Sequence, residues 1–540
     1  MKAHCLPFSQ IPHTSRLFLD YLSSSPSVQP FYPRSPLFPE WVKEEGARVR
    51  YDDERRREVC DILERQNRTW NRGPKTFANI DRLRKGALAA VTGQQVGLFG
   101  GPLFTIFKAL SAVKLAEEAT TAGVDCVPVF WLATEDHDLA EVNHVSLLSE
   151  AGLPERVAAE SHGIDDAPVG TVTLGPEIEA VVESAARLLG DTDAAKWLRE
   201  CYRPGETMGS AFAQLMSRLF AGWGVILLDQ SDPGFHQIAK PVLKQALERS
   251  AEIGDALIAR GNELEAAGYH QQVKVTSATT PLFEIKNGVR TPIRRKPVRD
   301  TSAEFLVGDE TSSSAELLQR IERDPSKFSP NVLLRPVVQD YLLPTLVYTG
   351  GSAEVAYFAQ VGIVYEKLLG RVTPILPRFS ATLVEAKAQR LLERYALGLP
   401  DLFIGPEKLR EKLASQAMPS DLQAKFADAK TNLEKSMTAI RESLAQLDAT
   451  LVDATSNAEE KMKNQLSQME ARAARAVAQR NEVVTRHAEA LNNVLYPDKV
   501  LQEREIGGVS FVARYGPSLL QDLYATIHTD CHDHQVITLQ

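Results

Sequence analysis

The sequence is poor in cysteine, has no long hydrophobic run and carries no excess of positive charge. Its 540 residues include 5 cysteines, which are scattered and never form a Cys-x-x-Cys pair. That pattern disfavours a disulfide framework or a zinc site and is typical of a reducing cytoplasm, where we expect the protein to reside. No stretch approaches about 18 apolar residues, and the first residues lack a charged-then-apolar leader pattern, so no membrane partner is expected.

A net charge of −9 at pH 7 argues against polyanionic partners. Proteins that bind nucleic acid need a basic surface, and this sequence contains no basic helix and no aromatic–basic stripe. The hydrophobic content of 44% is that of an ordinary globular protein. A chain of this length exceeds a single core, so roughly two to four domains are expected. We therefore predict a multidomain globular protein that binds neither nucleic acid nor membrane.

A glycine-rich segment at residues 91–102 is the most informative local feature. Residues 87–91 form a short apolar run typical of a buried strand, and apolar residues recur at helical spacing after Pro102. Glycines let a backbone approach a ligand, and the N–H groups at a helix N-terminus favour phosphate or carboxylate. The segment lacks the Walker and dinucleotide-binding patterns, so an anion site and a tight structural turn are equally open interpretations. The candidates for binding are Thr92, Gly93, Gly97 and Gly101, with Gln94 and Gln95 as groups that hold a substrate or cap the turn.

A polar cluster follows the next predicted strand, at residues 127–134, which is a nearly continuous apolar run. Strand, helix and strand within about forty residues predict a right-handed βαβ unit and a parallel sheet. Ligands bind at the carboxyl ends of such strands, so Asp136, His137 and Asp138 fall where a substrate would be oriented or a proton removed. A hydrogen-bonded structural cluster is the alternative. The spacing of His137 and Glu141 also suits a metal, but no further ligand can be assigned, and we assign no metal site.

Three more apolar runs, at residues 225–229, 344–348 and 372–376, predict the other strands of the sheet. The last two of them lead into short polar turns whose candidate anion-binding residues are Gly350, Gly351, Arg378 and Ser380. Arg378 is the strongest phosphate candidate, because its strand ends at the same sheet margin as the glycine-rich segment. The basic residues at 290–296, in a predicted hairpin, fit phosphate binding and a solvated edge equally well.

The composition changes past residue 383 to Ala, Glu, Lys, Leu, Gln and Arg. Apolar residues are spaced by threes and fours, which predicts two helices in a long antiparallel coiled-coil hairpin, with a break at residues 455–457. Beyond it, β-type patterning returns at residues 509–512, 524–527 and 536–539. The predicted domains are a core at residues 1–382 with insertions near 145–220 and 285–330, a helical coiled-coil domain at 383–497, and a C-terminal segment at 498–540 that returns to the core.

Taken together, these motifs resemble the BshC family, the cysteine-adding enzymes of bacillithiol biosynthesis. The matching stretches are Thr92-Gly93-Gln94-Gln95-x-Gly97-Leu98 with Gly101-Pro102, Pro128-Val129-Phe130-Trp131 leading into Glu135-Asp136-His137-Asp138 and Asn143-His144, Gly350-Gly351 with Glu354, Ala356 and Tyr357, and Pro377-Arg378-x-Ser380-x-Thr382. The coiled-coil hairpin matches as well, so the resemblance covers essentially the whole chain. Each motif alone is weak, and their combination is specific.

The resemblance implies an α/β, Rossmann-type core similar to class I nucleotidyl transferases, with two insertions and a coiled coil that forms a homodimer. It implies a ligase that joins the carboxylate of cysteine to the amine of glucosaminyl-malate as an amide, with ATP consumed to ADP or AMP. On this analogy residues 92–101 and 377–382 take the place of the two aminoacyl-tRNA synthetase signatures. The synthetase patterns His-x-Gly-His and Lys-Met-Ser-Lys-Ser are both absent.

A carboxylate is a poor electrophile, so amide formation requires its activation, with phosphate charge held by backbone N–H groups and Arg378. A carboxylate such as Asp136 or Asp138 would then bind the ammonium of cysteine or take a proton from the attacking amine. The alternative hypothesis is a non-catalytic nucleotide-binding scaffold whose coiled coil recruits partners. The two hypotheses differ in whether cysteine is consumed when glucosaminyl-malate and ATP are supplied.

Overall fold

The computed structural model describes residues 1–70, 73–160, 166–296, 304–416, 418–448, 450–480, 482–529 and 531–539, without the side chains of residues 477–480. Parts of both predicted insertions, residues 161–165 and 297–303, lie outside the described residues. The chain divides into a larger unit, Ala3–Ala381 with Glu503–Gln535, and a smaller one, Thr382–Gln502 with Met1–Lys2 and Val536–Gln540.

A parallel sheet of five strands organises the larger unit. Its strands are β1 (Leu88–Gln94), β2 (Cys126–Leu132), β3 (Ile226–Asp229), β4 (Thr345–Gly350) and β5 (Ile375–Pro377). They lie in the order β5-β4-β1-β2-β3, and Val91 of β1 stands between Val129 of β2 and Tyr348 of β4. The strand order reverses between β1 and β4, which is where open α/β sheets hold their ligands. The predicted parallel sheet is confirmed.

Apolar side chains cover both faces of this sheet. Val91 and Val129 belong to the core on one face, whereas Ala90 and Val347 pack with Trp41 on the other. Successive side chains of a strand point to opposite faces, so burial on both sides requires an unbroken apolar strand. All seven residues of β2 are buried, for example. This is why the strands are visible in the sequence as continuous apolar runs.

Helices α1 (Phe104–Thr121) and α2 (Ser352–Leu368) follow β1 and β4. The other α-helices of this part of the chain run Arg16–Leu22, Phe38–Arg48, Asp53–Trp70, Pro74–Arg84, Leu139–Val142, Ile178–Leu189, Asp193–Cys201, Met208–Leu219, Pro233–Glu248, Ser250–Ala266, Ser314–Arg323, Arg335–Leu342, Gln502–Glu505, Gly508–Tyr515 and Leu519–Thr526. No helix in the described ranges is long and apolar enough to cross a membrane.

Two antiparallel elements are inserted between the strands of the core. His144–Leu148 pairs with Pro154–Ala158. The second element is a five-stranded sheet, which in spatial order contains Glu310–Ser313, Glu304–Val307, Val289–Arg295, Thr279–Lys286 and Phe328–Pro330. The predicted hairpin is confirmed; it turns at Asn287–Gly288, where both residues have positive φ. Residues 273–275 form no strand, because the side-chain amide of Gln360 bonds the N–H and C=O of Val273 instead.

The smaller unit contains the long helical hairpin predicted from the sequence. Helices α3 (Ser420–Leu447) and α4 (Leu451–Arg480) pack against each other. The break predicted at residues 455–457 is wrong, because the turn lies earlier: the Asp448 carboxylate accepts hydrogen bonds from the N–H and hydroxyl of Thr450, at 2.9 and 2.7 Å. Thr455 is accommodated within α4, since its hydroxyl donates to the Leu451 carbonyl. The unit's other helices are Ala386–Arg394, Pro406–Gln416 and Glu482–Leu495.

The C-terminal segment differs from the prediction. The strands predicted at residues 509–512 and 524–527 are wrong, because these residues lie in helices Gly508–Tyr515 and Leu519–Thr526. A short apolar run fits a buried strand and a buried helical turn equally well, and only the tertiary packing decides between them. The strand predicted at residues 536–539 is confirmed as His534–Thr538, and the remaining strands are Lys2–Leu6 and Ala381–Val384.

Candidate functional site

A cavity of about 420 Å³ opens at the carboxyl ends of β1, β2, β4 and β5. Its position spans the point between β1 and β4 where the strand order reverses. The residues predicted from sequence that line it are Gly93, Gln94, Gln95, Asp136, Gly351 and Arg378. The topology thus brings the ends of four different strands to one concave site.

A buried ion pair crosses the point of reversal. The Lys108 ammonium in α1 lies 2.5 Å from the Glu354 carboxylate in α2, and it also donates to the Gly93 carbonyl and the Gln94 side chain, at 2.8 and 2.9 Å. The first turns of α1 and α2 follow neighbouring strands, so these side chains face each other. Lys108 therefore ties the end of β1 to the start of α2.

Glu354 is held as a carboxylate by several donors. Its oxygens accept from the Tyr348 hydroxyl at 2.6 Å and from the Gly351 N–H at 2.7 Å, in addition to Lys108. Burial by itself raises the pKa of a carboxyl group, but Lys108 and the two hydrogen-bond donors outweigh it and lower the pKa of Glu354. An ionised Glu354 thus fixes one wall of the cavity.

The acidic corner, residues 135–141 after β2, forms a second wall. The Gln95 amide donates to Asp136 at 2.8 Å and to Glu141 at 3.0 Å, so one side chain from β1's end bridges two carboxylates. The second Asp136 oxygen accepts from the His137 N–H at 2.8 Å. These bonds fix the orientation of Asp136, which lines the cavity.

Glu135 also lines the cavity, and a buried histidine holds it in place. One oxygen of Glu135 lies 2.7 Å from Nε2 of His236, and both side chains are almost fully buried. Burial lowers the pKa of a histidine, but the adjacent Glu135 carboxylate outweighs this and raises the pKa of His236. His236 thus holds a carboxylate that lines the cavity.

Arginines also line the cavity. Arg378 donates to Glu503 at 2.7 and 3.1 Å, and its buried Nε has no hydrogen-bond partner in the described part of the chain. Arg335 lies over the rings of Trp131 and Tyr348, at 6.0 and 5.4 Å from their centres. Arg335 also donates to the Gln339 side chain at 3.0 Å, and Arg504 lines the same cavity. The lining thus combines carboxylates with arginines, and the Nε of Arg378 is a donor that no described group uses.

Residues 97–101 do not line this cavity. The N–H groups of Gly97, Gly100, Gly101 and Leu103 donate to the carbonyls of Gln95, Gly97, Leu98 and Ile506, so the turn satisfies itself within the chain. The neighbouring Leu98 and Phe99 are fully buried. A Cβ at Gly97 would lie 3.1 Å from the Gly101 Cα, so the two halves of the turn touch. The structure differs here from an open anion cradle, because the apolar residues draw the turn into the core.

The other predicted residues outside the cavity lining have structural contacts. Thr92 is buried, and its hydroxyl donates to the Thr349 carbonyl. Gly350 packs closely against Glu354, since a Cβ at position 350 would lie only 2.8 Å from the Glu354 Cβ. Asp138 accepts from the Glu141 N–H and caps helix Leu139–Val142. His137 lies at the margin of the site, with Nδ1 3.1 Å from Arg290, which itself lines the cavity.

Ser380 lies behind Arg378. Its hydroxyl contacts Glu503 at 2.9 Å and Nδ1 of His534 at 2.7 Å, and all three side chains are buried. Burial lowers the pKa of His534 to about 4, so this imidazole is neutral at pH 7. Ser380 and His534 thus support Glu503, which holds Arg378.

Sequence reasoning missed Lys108, Arg335 and the pairing of Glu135 with His236. Lys108 had a detectable signal, because it is a charged residue within a helix whose other residues from Thr105 to Val113 are all buried. Arg335 had none, since it does not follow a strand of the sheet; His236 lies in the first turn of helix Pro233–Glu248, directly after β3, and that position was a signal. In the described ranges no group of three or more His, Cys, Asp or Glu side chains is placed to hold a metal ion.

Comparison with known proteins identifies the family. The N-terminal Rossmann-like domain of bacillithiol biosynthesis BshC matches residues 1–379, and the C-terminal coiled-coil domain of the same proteins matches residues 381–539. The chain belongs to the BshC family. The family resemblance seen in the sequence is therefore confirmed, together with its Rossmann-type α/β fold and coiled-coil region.

Similar BshC proteins align with the chain from end to end. A protein of Koribacter versatilis is 46% identical over 533 residues, which cover 99% of each chain. One of Solibacter usitatus is 36% identical over 543 residues and the full length of both, and one of Salinibacter ruber is 33% identical over 99% of this chain and 98% of its own. Each bears the name "Putative cysteine ligase BshC". The prediction of an enzyme of the ligase class is confirmed.

Proposed function

We propose that this chain joins the carboxylate of cysteine to the amine of glucosaminyl-malate, forming an amide in bacillithiol biosynthesis, with nucleotide-dependent activation of the carboxylate. The observation that carries the proposal is the cavity at the carboxyl ends of the sheet, which is lined by both carboxylates and arginines. The cysteine-ligase name of full-length relatives supports the same substrate.

The carboxylates of the cavity can interact with the two amines of this reaction. Glu135 and Asp136 each present an oriented carboxylate to the cavity, one fixed by His236 and the other by Gln95. Such groups bind an ammonium or accept the proton that an attacking amine must lose. Of the carboxylates predicted for this role, Asp138 caps a helix instead. We therefore assign the role to Asp136 and extend it to Glu135.

The arginines suit phosphate and carboxylate groups. Guanidinium groups bind both in a bidentate manner; Arg335, Arg378 and Arg504 line the cavity, and the buried Nε of Arg378 has no hydrogen-bond partner among the described residues. A nucleoside triphosphate would supply the phosphoryl or nucleotidyl group that activates the cysteine carboxylate. Gly93, Gly351 and Arg378 are the predicted nucleotide-binding residues that line this cavity, and the arginines would hold the phosphate charge there.

The proposal is tested by incubating the purified protein with cysteine, glucosaminyl-malate and ATP. We expect the amide product by mass spectrometry and ADP or AMP in equal amount, with neither formed when one substrate is omitted. Nucleotide binding without consumption of cysteine would favour the scaffold hypothesis instead. Product formed without nucleotide would overturn the activation step alone.

A pair of arginine variants locates the activity in the cavity. Arg335→Met should lower the ligation rate about a hundredfold, because one charge-stabilising donor is lost. Arg323→Met, in an exposed position of helix Ser314–Arg323, should leave the rate unchanged. Equal rates for the two variants would contradict the assignment of the cavity.

We further propose that the coiled coil forms a homodimer. Large apolar side chains of α3 and α4 are exposed, among them Ile440, Leu447, Met462 and Met469. Ile440→Glu combined with Met469→Glu should shift the protein from dimer to monomer in sedimentation analysis. Ser436→Glu, at an exposed polar position of α3, is the control. A wild-type protein that sediments as a monomer would refute the proposal.

We also propose a cytoplasmic location. The five cysteines are scattered along the sequence without a Cys-x-x-Cys pair, as expected of a protein from a reducing compartment.

A further inference from the structure

The five cysteines fall into two groups with different chemistry. Cys60, Cys126 and Cys201 are buried. Burial raises the pKa of their thiols to about 11, 12 and 11, so they are unreactive at neutral pH. Cys5 is exposed and Cys531 is partly exposed, so only these two thiols are open to reagents in solution.

The two accessible thiols lie next to each other. The Sγ atoms of Cys5 and Cys531 are 2.9 Å apart, although the residues are separated by 526 positions in the sequence. Both belong to the larger unit, so the pairing lies within one unit. A disulfide bond is about 2.0 Å long, so a movement of about 1 Å would bring the two sulfur atoms to bonding distance.

We propose that Cys5 and Cys531 are a disulfide-forming site that reacts with low-molecular-weight disulfides. The thiolate of one cysteine attacks a sulfur of the small disulfide R–S–S–R, forms a mixed disulfide and releases one R–S⁻. The thiolate of the other cysteine then attacks the protein sulfur of that mixed disulfide and releases the second R–S⁻. The two cysteines together lose two protons and two electrons, and the small disulfide is reduced to two thiols.

The position of Cys531 links this site to the cavity described above. Cys531 belongs to a segment, residues 527–529 and 531–533, that lines a second small cavity together with Arg378 and Phe379. Oxidation would tie this segment to Cys5 near the N-terminus. The redox state of the pair would thus decide whether the segment next to Arg378 is covalently tied to Cys5. This inference does not depend on the proposed reaction.

The test uses the reduced full-length protein and hydroxyethyl disulfide as the oxidant. Under native conditions we expect the loss of both accessible thiols, a mass lower by two hydrogen atoms and no retained adduct. Peptide mapping should show Cys5 joined to Cys531, and dithiothreitol should restore both thiols. Retention of both thiols, or an adduct on each sulfur without a bond between them, would overturn the proposal.

Single variants distinguish a reaction that needs both Cys5 and Cys531 from independent reactions of two exposed thiols. Cys5→Ser should accumulate a stable mixed disulfide on Cys531, and Cys531→Ser one on Cys5, because the resolving thiol is missing in each. Cys201→Ala removes a buried thiol and should behave as the wild type. A single variant that loses its adduct as the wild type does would show that the second cysteine is not the resolving group.

Discussion

Two turns that follow neighbouring strands of the sheet have different roles, one in packing and one in the candidate site. The glycine turn after β1, residues 97–101, uses its N–H groups within the chain and buries Leu98 and Phe99 in the core. The acidic corner after β2 directs Glu135 and Asp136 into the cavity. The glycine turn contributes close packing, and the acidic corner contributes ligand-facing groups. A glycine-rich motif at a strand end is therefore not by itself evidence of a phosphate site.

The largest effect on stability is expected at Lys108, which links the Gly93 carbonyl at the end of β1 to the Glu354 carboxylate. Lys108→Met leaves the Glu354 carboxylate without its cation, and we expect a loss of about 3 kcal/mol in the free energy of unfolding, measured with urea. Lys85→Met, which removes an exposed ion pair to Asp81, should cost less than about 0.5 kcal/mol.

The double variant Lys108→Met/Glu354→Gln identifies the cause of that loss. Because it removes both charges, it should recover much of the stability lost in the single variant. A single variant as stable as the wild type, or a double variant no better than the single one, would contradict the role of the ion pair.

A smaller effect is expected in the glycine turn. Gly101 has φ 68° and ψ −164°, a conformation that is essentially restricted to glycine. Gly101→Ala should therefore lower the free energy of unfolding by about 1–3 kcal/mol, with the ligation rate per folded molecule retained. Gly222→Ala is the matched control, since its Cβ would meet no atom within 4 Å. If Gly101→Ala were fully stable but inactive, the turn would be a binding element after all.

Much of the fold could be predicted because its elements have strong local patterns. The strands of the sheet are buried on both faces, so they appear as apolar runs at the expected positions. The exact turn of the helical hairpin could not be predicted. Thr455 resembles a helix breaker in sequence, but its hydroxyl bonds to Leu451, and the side chain of Asp448 makes the turn. Residues 509–512 are ambiguous for the same reason as any short apolar run.

The site was predictable where it depends on topology. Gln95, Asp136 and Arg378 follow parallel strands, whose carboxyl ends necessarily meet at one edge. Arg335 could not be predicted, because its approach to the cavity depends on how a helix outside the sheet packs. His236 lies just after β3, but the sequence does not show that it pairs with Glu135. Ser380 shows the converse: it follows β5 as expected, yet its hydroxyl is directed to Glu503 and His534 behind the cavity.

The most direct measurement compares two carboxylates that are two residues apart. Asp136 lines the cavity, whereas Asp138 caps helix Leu139–Val142, a position that asparagine fills well. The ligation rates of purified Asp136→Asn and Asp138→Asn should be measured beside their unfolding midpoints. We predict that Asp136→Asn loses about a hundredfold or more in rate at unchanged stability, while Asp138→Asn retains the wild-type rate. A fully active Asp136→Asn, or an equal loss in both variants, would contradict the placement of the reaction in this cavity.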